Sequence, residues 1–143
     1  MVSVRPMVRA DIPRVAELTG QLGYPTTTAQ MEKRFLALDG APESALFVAE
    51  TAEGVVVGWA HVISRVLIEC ERFAELMGLV VDEGARRQRV GESLMRCVEG
   101  WALERGYRSI RIRSNSARKE ARPFYERMGY TVRKTQWVFG RDL

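Results

Sequence analysis

The sequence predicts an α/β chain built on a mixed β-sheet, and three observations predict it. The apolar run Leu79-Val80-Val81 stops at Asp82 and Gly84 and passes at once into helical spacing, after which Ser109 to Arg113 alternates with period two. A strand, helix, strand path of this kind implies a parallel pair with a right-handed crossover. Ala45 to Glu50 and Val55 to Ile63 flank the turn Glu53-Gly54 and read as an antiparallel hairpin. Amphipathic helical stripes lie before the hairpin and after Leu79. The expected architecture is one domain over residues 1–143, with a central sheet of about six to seven strands flanked by about four helices.

Each element has its own signal. Val2 to Arg9 alternates and reads as a strand. Asp11 can cap a helix carrying Ile12, Val15, Leu18 and Leu22, with Pro13 tolerated in its first turn and Gly23-Tyr24-Pro25 ending it. Thr26, Thr27 and Thr28 offer caps for a second helix with Met31, Phe35, Leu36 and Leu38, ended near Gly40 and Pro42. The hairpin follows, then a strand-rich run from Arg72 to Val81. Val90, Leu94, Val98 and Trp101, with Cys97 beside them, form the apolar stripe of a helix of about four turns that stops at Gly106. After the strand at Ser109 to Arg113, Asn115 to Arg118 is a polar break. Glu120 to Met128 is a short helix closed by Gly129, and Tyr130 to Phe139 predicts one or two final strands.

Composition narrows the function classes. A chain of 143 residues with 46% hydrophobic and 28% charged residues has the make-up of a soluble globular domain. Met1 to Pro6 lacks the apolar region of a secretion signal, and no segment approaches a membrane span, so a cytoplasmic protein is expected. Cys70, Cys97 and His61 fit no zinc or disulfide spacing, so neither a metal nor a disulfide is expected; His61 is a minor candidate base. The net charge of +4 hides a division: residues 1–85 carry −5 and residues 86–143 carry +9. Nineteen of the 22 basic residues are arginine, which suits bidentate phosphate recognition and equally a genome rich in G and C. The basic half admits nucleic acid as a rival partner, but its arginines spread over helix, strand and turn with no recognition helix, so no nucleic-acid or membrane partner is expected.

The turn Arg86-Arg87-Gln88-Arg89-Val90-Gly91 places free backbone N–H groups and several guanidiniums at a helix N-terminus. Basic residues there oppose the helix dipole unless an anion is present, which points to a phosphate site. The plainer reading is a solvated basic turn.

This order of elements, with Leu79-Val80-Val81-Asp82, the turn Arg86 to Gly91, Asn115, and Ala121-Arg122-Pro123-Phe124-Tyr125-Glu126-Arg127-Met128-Gly129-Tyr130, resembles the GNAT superfamily of acetyl-CoA-dependent N-acetyltransferases over nearly the whole chain. The resemblance implies acetyl-CoA as cosubstrate and a small-molecule or peptide amine as acceptor. Leu79, Val80 and Val81 would lie along the pantetheine arm. Arg86, Arg87, Gln88, Arg89, Val90 and Gly91, with Glu92 and Ser93 beyond, would hold the pyrophosphate. Asn115 would contact the cofactor, and Tyr125 would be the general acid. The family usually has glycine at the positions of Arg89 and, in many members, Arg87, which puts the loop geometry in question because glycine permits unusual backbone angles.

Acetyl transfer by direct attack needs an uncharged amine, donors for the oxyanion and a proton for the thiolate. Glu75, on the strand leading into the cofactor segment, is the candidate base, with an ion pair to an arginine as its structural alternative. A backbone N–H between Met77 and Leu79 is the candidate oxyanion donor. A non-catalytic acyl-CoA sensor of the same fold is the alternative function. The apolar residues Trp137, Val138 and Phe139 on the last strand are compatible with a homodimer.

Overall fold

The computed structural model describes residues 1–86 and 88–143, which form two compact units, Met1–Arg113 and Ser114–Leu143. The first carries β1 (Val2–Pro6), α1 (Ile12–Gln21), α2 (Thr28–Leu38), β2 (Ser44–Thr51), β3 (Val56–Arg65), β4 (Phe73–Val81), α3 (Val90–Glu104) and β5 (Ile110–Ile112), and the second carries α4 (Ala121–Arg127). The strands lie in chain order in one mixed sheet, antiparallel from β1 to β4 and parallel between β4 and β5. The mixed α/β class and the four helices are as expected, but the sheet has five strands.

The missing strands are those expected from Tyr130 to Phe139: among the described residues none follows α4. Trp137, Val138 and Phe139 are 85%, 89% and 88% exposed. Within Ser114–Leu143 no second strand completes a ladder, so alternation alone leaves the backbone groups to water. No helix among the described residues is long and apolar enough to cross a membrane.

Local chemistry explains the helix starts. Thr27 caps α2 in a reciprocal arrangement: its hydroxyl accepts from Gln30 N at 3.1 Å while Gln30 Oε1 accepts from Thr27 N at 3.0 Å. Asp11 precedes α1 as expected, but its carboxylate does not cap that helix. It accepts instead from Val8 N at 2.8 Å and from both terminal nitrogens of Arg5 at 2.8 and 2.9 Å, and Arg5 also reaches Glu50 at 3.1 Å. Burial works to raise the Asp11 carboxyl, but the bonds from Arg5 and Val8 and the Arg5 charge outweigh it and hold the group below its ordinary range. A carboxyl depressed in the fold contributes stability above its unfolded value of about 3.9 and loses it as pH falls through the folded value. Chemical denaturation at a series of pH values is therefore expected to show stability falling below about pH 4. Asp11→Asn is expected to cost about 2 kcal/mol at neutral pH and to flatten that fall.

Two apolar layers flank the sheet. Met7, Ile12, Val15, Leu18 and Phe35 pack with Val48, Val56 and Val80 under α1 and α2, joined by half-buried Trp59. On the other face α3 buries Val90, Gly91, Leu94, Met95, Val98 and Ala102. This stripe is rotated from the expected one, since Cys97 and Trp101 are only half-buried while Met95 and Ala102 take core positions. The approach of α3 to β3 depends on Gly58: a Cβ there would lie 2.9 Å from the Val80 carbonyl oxygen and 3.1 Å from Leu94 and Val90 side-chain carbons. Backbone cannot yield cheaply to such a contact, so Gly58→Ala is expected to destabilise the fold by about 2 kcal/mol in thermal or urea unfolding.

Candidate functional site

The site is built on β4 and the turn that follows it. Along one edge β4 pairs with β3 from Arg65↔Phe73 to Gly58↔Val81. Along the other it pairs with β5 only over Ala74↔Ile110, Glu75↔Arg111 and Leu76↔Ile112. Beyond Leu76 the β4 edge has no strand partner among the described residues, and an edge of this kind is one to which an extended chain can add. The register also slips here. His61 faces Gly78 and Val62 faces Leu76, leaving Met77 as the extra residue of a bulge, 46% exposed. The sequence-predicted oxyanion segment, Met77 to Leu79, thus coincides with a bulge at the point where β4 leaves β5. Leu79 and Val81 are half-buried, whereas Val80 belongs to the core under α1 and α2.

The turn is braced from α1. Asp82 N donates to the Val57 carbonyl at 2.8 Å, and its carboxylate accepts from Arg14 and from Gln21, each at 3.0 Å. The Gln21 hydrogen bond, with the Arg14 charge, holds the Asp82 carboxyl below its ordinary range against a small opposing effect of burial. Gln21 Oε1 accepts from Glu83 N at 3.0 Å, so one amide side chain ties down two successive residues. Sequence reasoning missed this brace, because nothing local marks Gln21 as the partner of a strand end 61 residues away.

A 3-10 turn at Glu83–Ala85 leads through exposed Arg86 and Gln88 to Arg89. Arg87, read above as a phosphate contact, lies outside the described residues. Arg89 stands at φ 59° and ψ 24°, the left-handed conformation, and no other non-glycine among the described residues has positive φ. The backbone angle that glycine would favour is thus kept by an arginine. Holding a non-glycine residue there costs about 1 kcal/mol or more, and such strain gathers at ligand-binding turns.

No side chain caps α3. The first intrahelical bond runs from Ser93 N to the Arg89 carbonyl at 3.0 Å, so the N–H groups of Val90, Gly91 and Glu92 have no helical acceptor. Three N–H groups without helical acceptors thus lie at the positive end of a 15-residue helix, with exposed Arg86 and Arg89 in the turn before it, an arrangement whose chemistry suits an anion. Glu92 stays in the first turn, 3.8 Å from Arg96.

Glu75 is fully buried and bound by arginines. Its Oε1 accepts from Arg65 Nη2 at 3.0 Å and Nε at 3.2 Å, and Arg113 Nε lies 3.3 Å from Oε2, which has no well-aligned hydrogen-bond partner. The ion-pair alternative is what this geometry supports, since each carboxylate oxygen faces a guanidinium. His61, opposite Gly78, has a buried Nε2 without a partner, and burial lowers its pKa.

The remaining predicted residues lie in the second unit. Asn115 is exposed, and its Oδ1 accepts from Ala117 N at 2.9 Å in a local turn that leads toward α4. Tyr125 is half-buried on α4, its ring edge-on to Phe124 at 5.0 Å and to Tyr130 at 6.1 Å. Burial pushes its phenol up to about 12, opposed by the charge of Arg118. Among the described residues no cluster of His, Cys, Asp or Glu could hold a metal ion.

A strand edge that opens at a bulge and runs into an uncapped helix N-terminus is matched by a family model, Acetyltransferase (GNAT) family, over residues 13–130. The chain belongs to the GNAT family. No curated protein shows significant sequence similarity to it. Solved structures do resemble this GNAT chain. A transcriptional regulator from Bacillus halodurans C-125 superposes with a TM-score of 0.86 at 20% identity, covering 99% of this chain and 100% of that one. The aminoglycoside antibiotic 6′-N-acetyltransferase AAC(6′)-Ih from Acinetobacter baumannii gives 0.86 at 14% identity, covering 100% and 99%. The aminoglycoside N-acetyltransferase AAC(6′)-Iy, solved in complex with CoA, gives 0.85 at 19% identity, covering 99% and 95%. At these identities the likeness is one of GNAT fold.

Proposed function

We propose that the protein is an N-acetyltransferase that moves the acetyl group of acetyl-CoA to a primary amine by direct attack, acting in the cytoplasm. The observation that carries this reading is the conjunction of the open β4 edge beyond Leu76 with the uncapped start of α3. Two solved GNAT neighbours that are acetyltransferases, one of them in complex with CoA, support it.

The residues fit the cosubstrate on their own chemistry. The N–H groups of Val90, Gly91 and Glu92, with Arg86, Gln88, Arg89 and Ser93 around them, are assigned to the pyrophosphate, and Arg87 is carried with them. Leu79, Val80 and Val81 are assigned to the pantetheine arm through the strand edge, and Asn115 to a further cofactor contact. Bound acetyl-CoA supplies the thioester carbonyl and the thiolate leaving group. The Met77 to Leu79 backbone is assigned the oxyanion, and Tyr125 is assigned to give its phenolic proton to the departing sulfur. The amine proton goes to water or to Glu75. The two arginines on Glu75 favour water.

The alternative, an acyl-CoA sensor without turnover, drew its motive from the arginines that replace glycine. Arg89 in the left-handed conformation removes much of that motive. A homodimer through Trp137, Val138 and Phe139 is proposed from their exposure. The test of the whole reading is release of CoA thiol when purified protein meets acetyl-CoA and a panel of primary amines. Sustained amine-dependent release supports the enzyme, and binding without release supports the sensor.

A further inference from the structure

A cavity lies between the helices α1 and α2 and the strands β2 and β3. It encloses about 170 Å³ and is lined chiefly by apolar side chains, among them Met31, Phe35, Leu46 and Phe47. No carboxylate lines it, and Arg34 is its one charged residue. Trp59 and His61 also line it, and each holds a buried nitrogen without a hydrogen-bond partner among the described residues, Trp59 Nε1 and His61 Nε2. The cavity borders the reaction segment through these two residues. His61 faces Gly78 across the strand pair, beside the Met77 bulge, and the Trp59 ring covers Gly78 so closely that a Cβ there would lie 2.8 Å from its ring carbons.

An indole N–H is a donor only, so its partner is an oxygen or another acceptor. Burial lowers the pKa of His61 and keeps the ring neutral near pH 7, with one nitrogen donating and the other accepting. A hydroxyl satisfies both groups. An ammonium or a polycation does not, because the walls offer no carboxylate to offset its desolvation.

We propose that this cavity receives the apolar body of the acetyl acceptor, an aromatic or branched monoamine whose amino group lies outside the cavity toward the reaction segment and whose oxygen accepts from Trp59 Nε1. This rests on the acetyltransferase reading above and names its substrate class. The cavity's polarity excludes polyamines and aminoglycosides from the same place.

The experiment uses tyramine, phenethylamine and spermidine as acceptors with acetyl-CoA, and p-cresol as a probe with no amine to acetylate. Tyramine is expected to exceed spermidine in kcat/KM by at least about tenfold. Trp59→Phe is expected to raise KM for tyramine about tenfold and to leave phenethylamine within about twofold, since the latter lacks the oxygen. Equal losses for both amines, or spermidine as the better substrate, overturn the proposal. Titration of p-cresol, followed by the Trp59 indole ¹⁵N–H signal, reads the cavity without turnover. A shift that Leu46→Phe abolishes while acetyl-CoA affinity is kept supports the site, and no shift in the unaltered protein overturns it. A p-cresol shift in a protein that fails to bind acetyl-CoA overturns the acetyltransferase reading and the acceptor role with it.

Discussion

Tyr125→Phe is expected to lower kcat by roughly 100- to 1000-fold and to leave acetyl-CoA affinity within about twofold, because the change replaces only the acidic hydroxyl by hydrogen at the end of a ring that keeps its packing. The magnitude is that of a lost general acid. Phe124 and Tyr130 hold the ring edge-on, so its replacement by a phenyl group keeps both ring contacts. The phenol, pushed up to about 12 by burial, stays protonated throughout the neutral range and is ready to donate. The sign of the pH dependence follows. Turnover rises with pH as the acceptor amine loses its proton, and no falling limb from Tyr125 is expected below about pH 10. Stopped-time assays from about pH 6 to 10 check both points. A Phe variant with unchanged kcat, or a fall near pH 8 that Tyr125→Phe removes, contradicts the assignment.

Arg89→Asp is expected to separate stability from binding. It replaces a cation at the positive end of α3 by an anion, which favours the helix dipole, and aspartate tolerates the left-handed conformation better than most residues. The free protein should gain about 1 kcal/mol in urea unfolding. The same carboxylate repels a pyrophosphate at the Val90, Gly91 and Glu92 amides and competes for their protons, so acetyl-CoA affinity should fall roughly 100-fold. Arg89→Gly is the control. It relieves the backbone angle, and it keeps affinity within about threefold where the N–H alone serves the phosphate. Calorimetry of both variants measures the effect; equal affinity of Arg89→Asp and the unaltered protein would remove the anion site from α3.

What could be read in the sequence was what local chemistry specifies. The capping threonine of α2, the turn at Glu53-Gly54 and the stop at Gly129 each act over a few residues and appear in the fold as expected, and the 3.6-residue period of α3 does too, although its buried stripe is rotated toward Met95 and Ala102. The start of α3 at Val90, straight after the arginine-rich turn, was legible for the same reason. The base was not. The environment of Glu75 is set by Arg65 on the neighbouring strand and Arg113 just past β5, and register rather than spacing brings them together. Gln21 and Asp82 meet for the same kind of reason. The error at Tyr130 to Phe139 has another origin: alternation describes a strand's faces but supplies no partner for its edges. Arg89 is the instructive departure. Its side chain argued against the turn, yet the backbone adopts the left-handed angle regardless.

The most direct test of the central claim is isothermal titration of acetyl-CoA into the purified protein, beside coenzyme A and a pantetheine fragment that lacks the nucleotide. The account predicts micromolar binding of acetyl-CoA and coenzyme A, a loss of at least about 100-fold for the fragment, and the same loss for acetyl-CoA on Arg89→Asp. No heat from acetyl-CoA at millimolar concentration, in a protein that unfolds cooperatively, would contradict it.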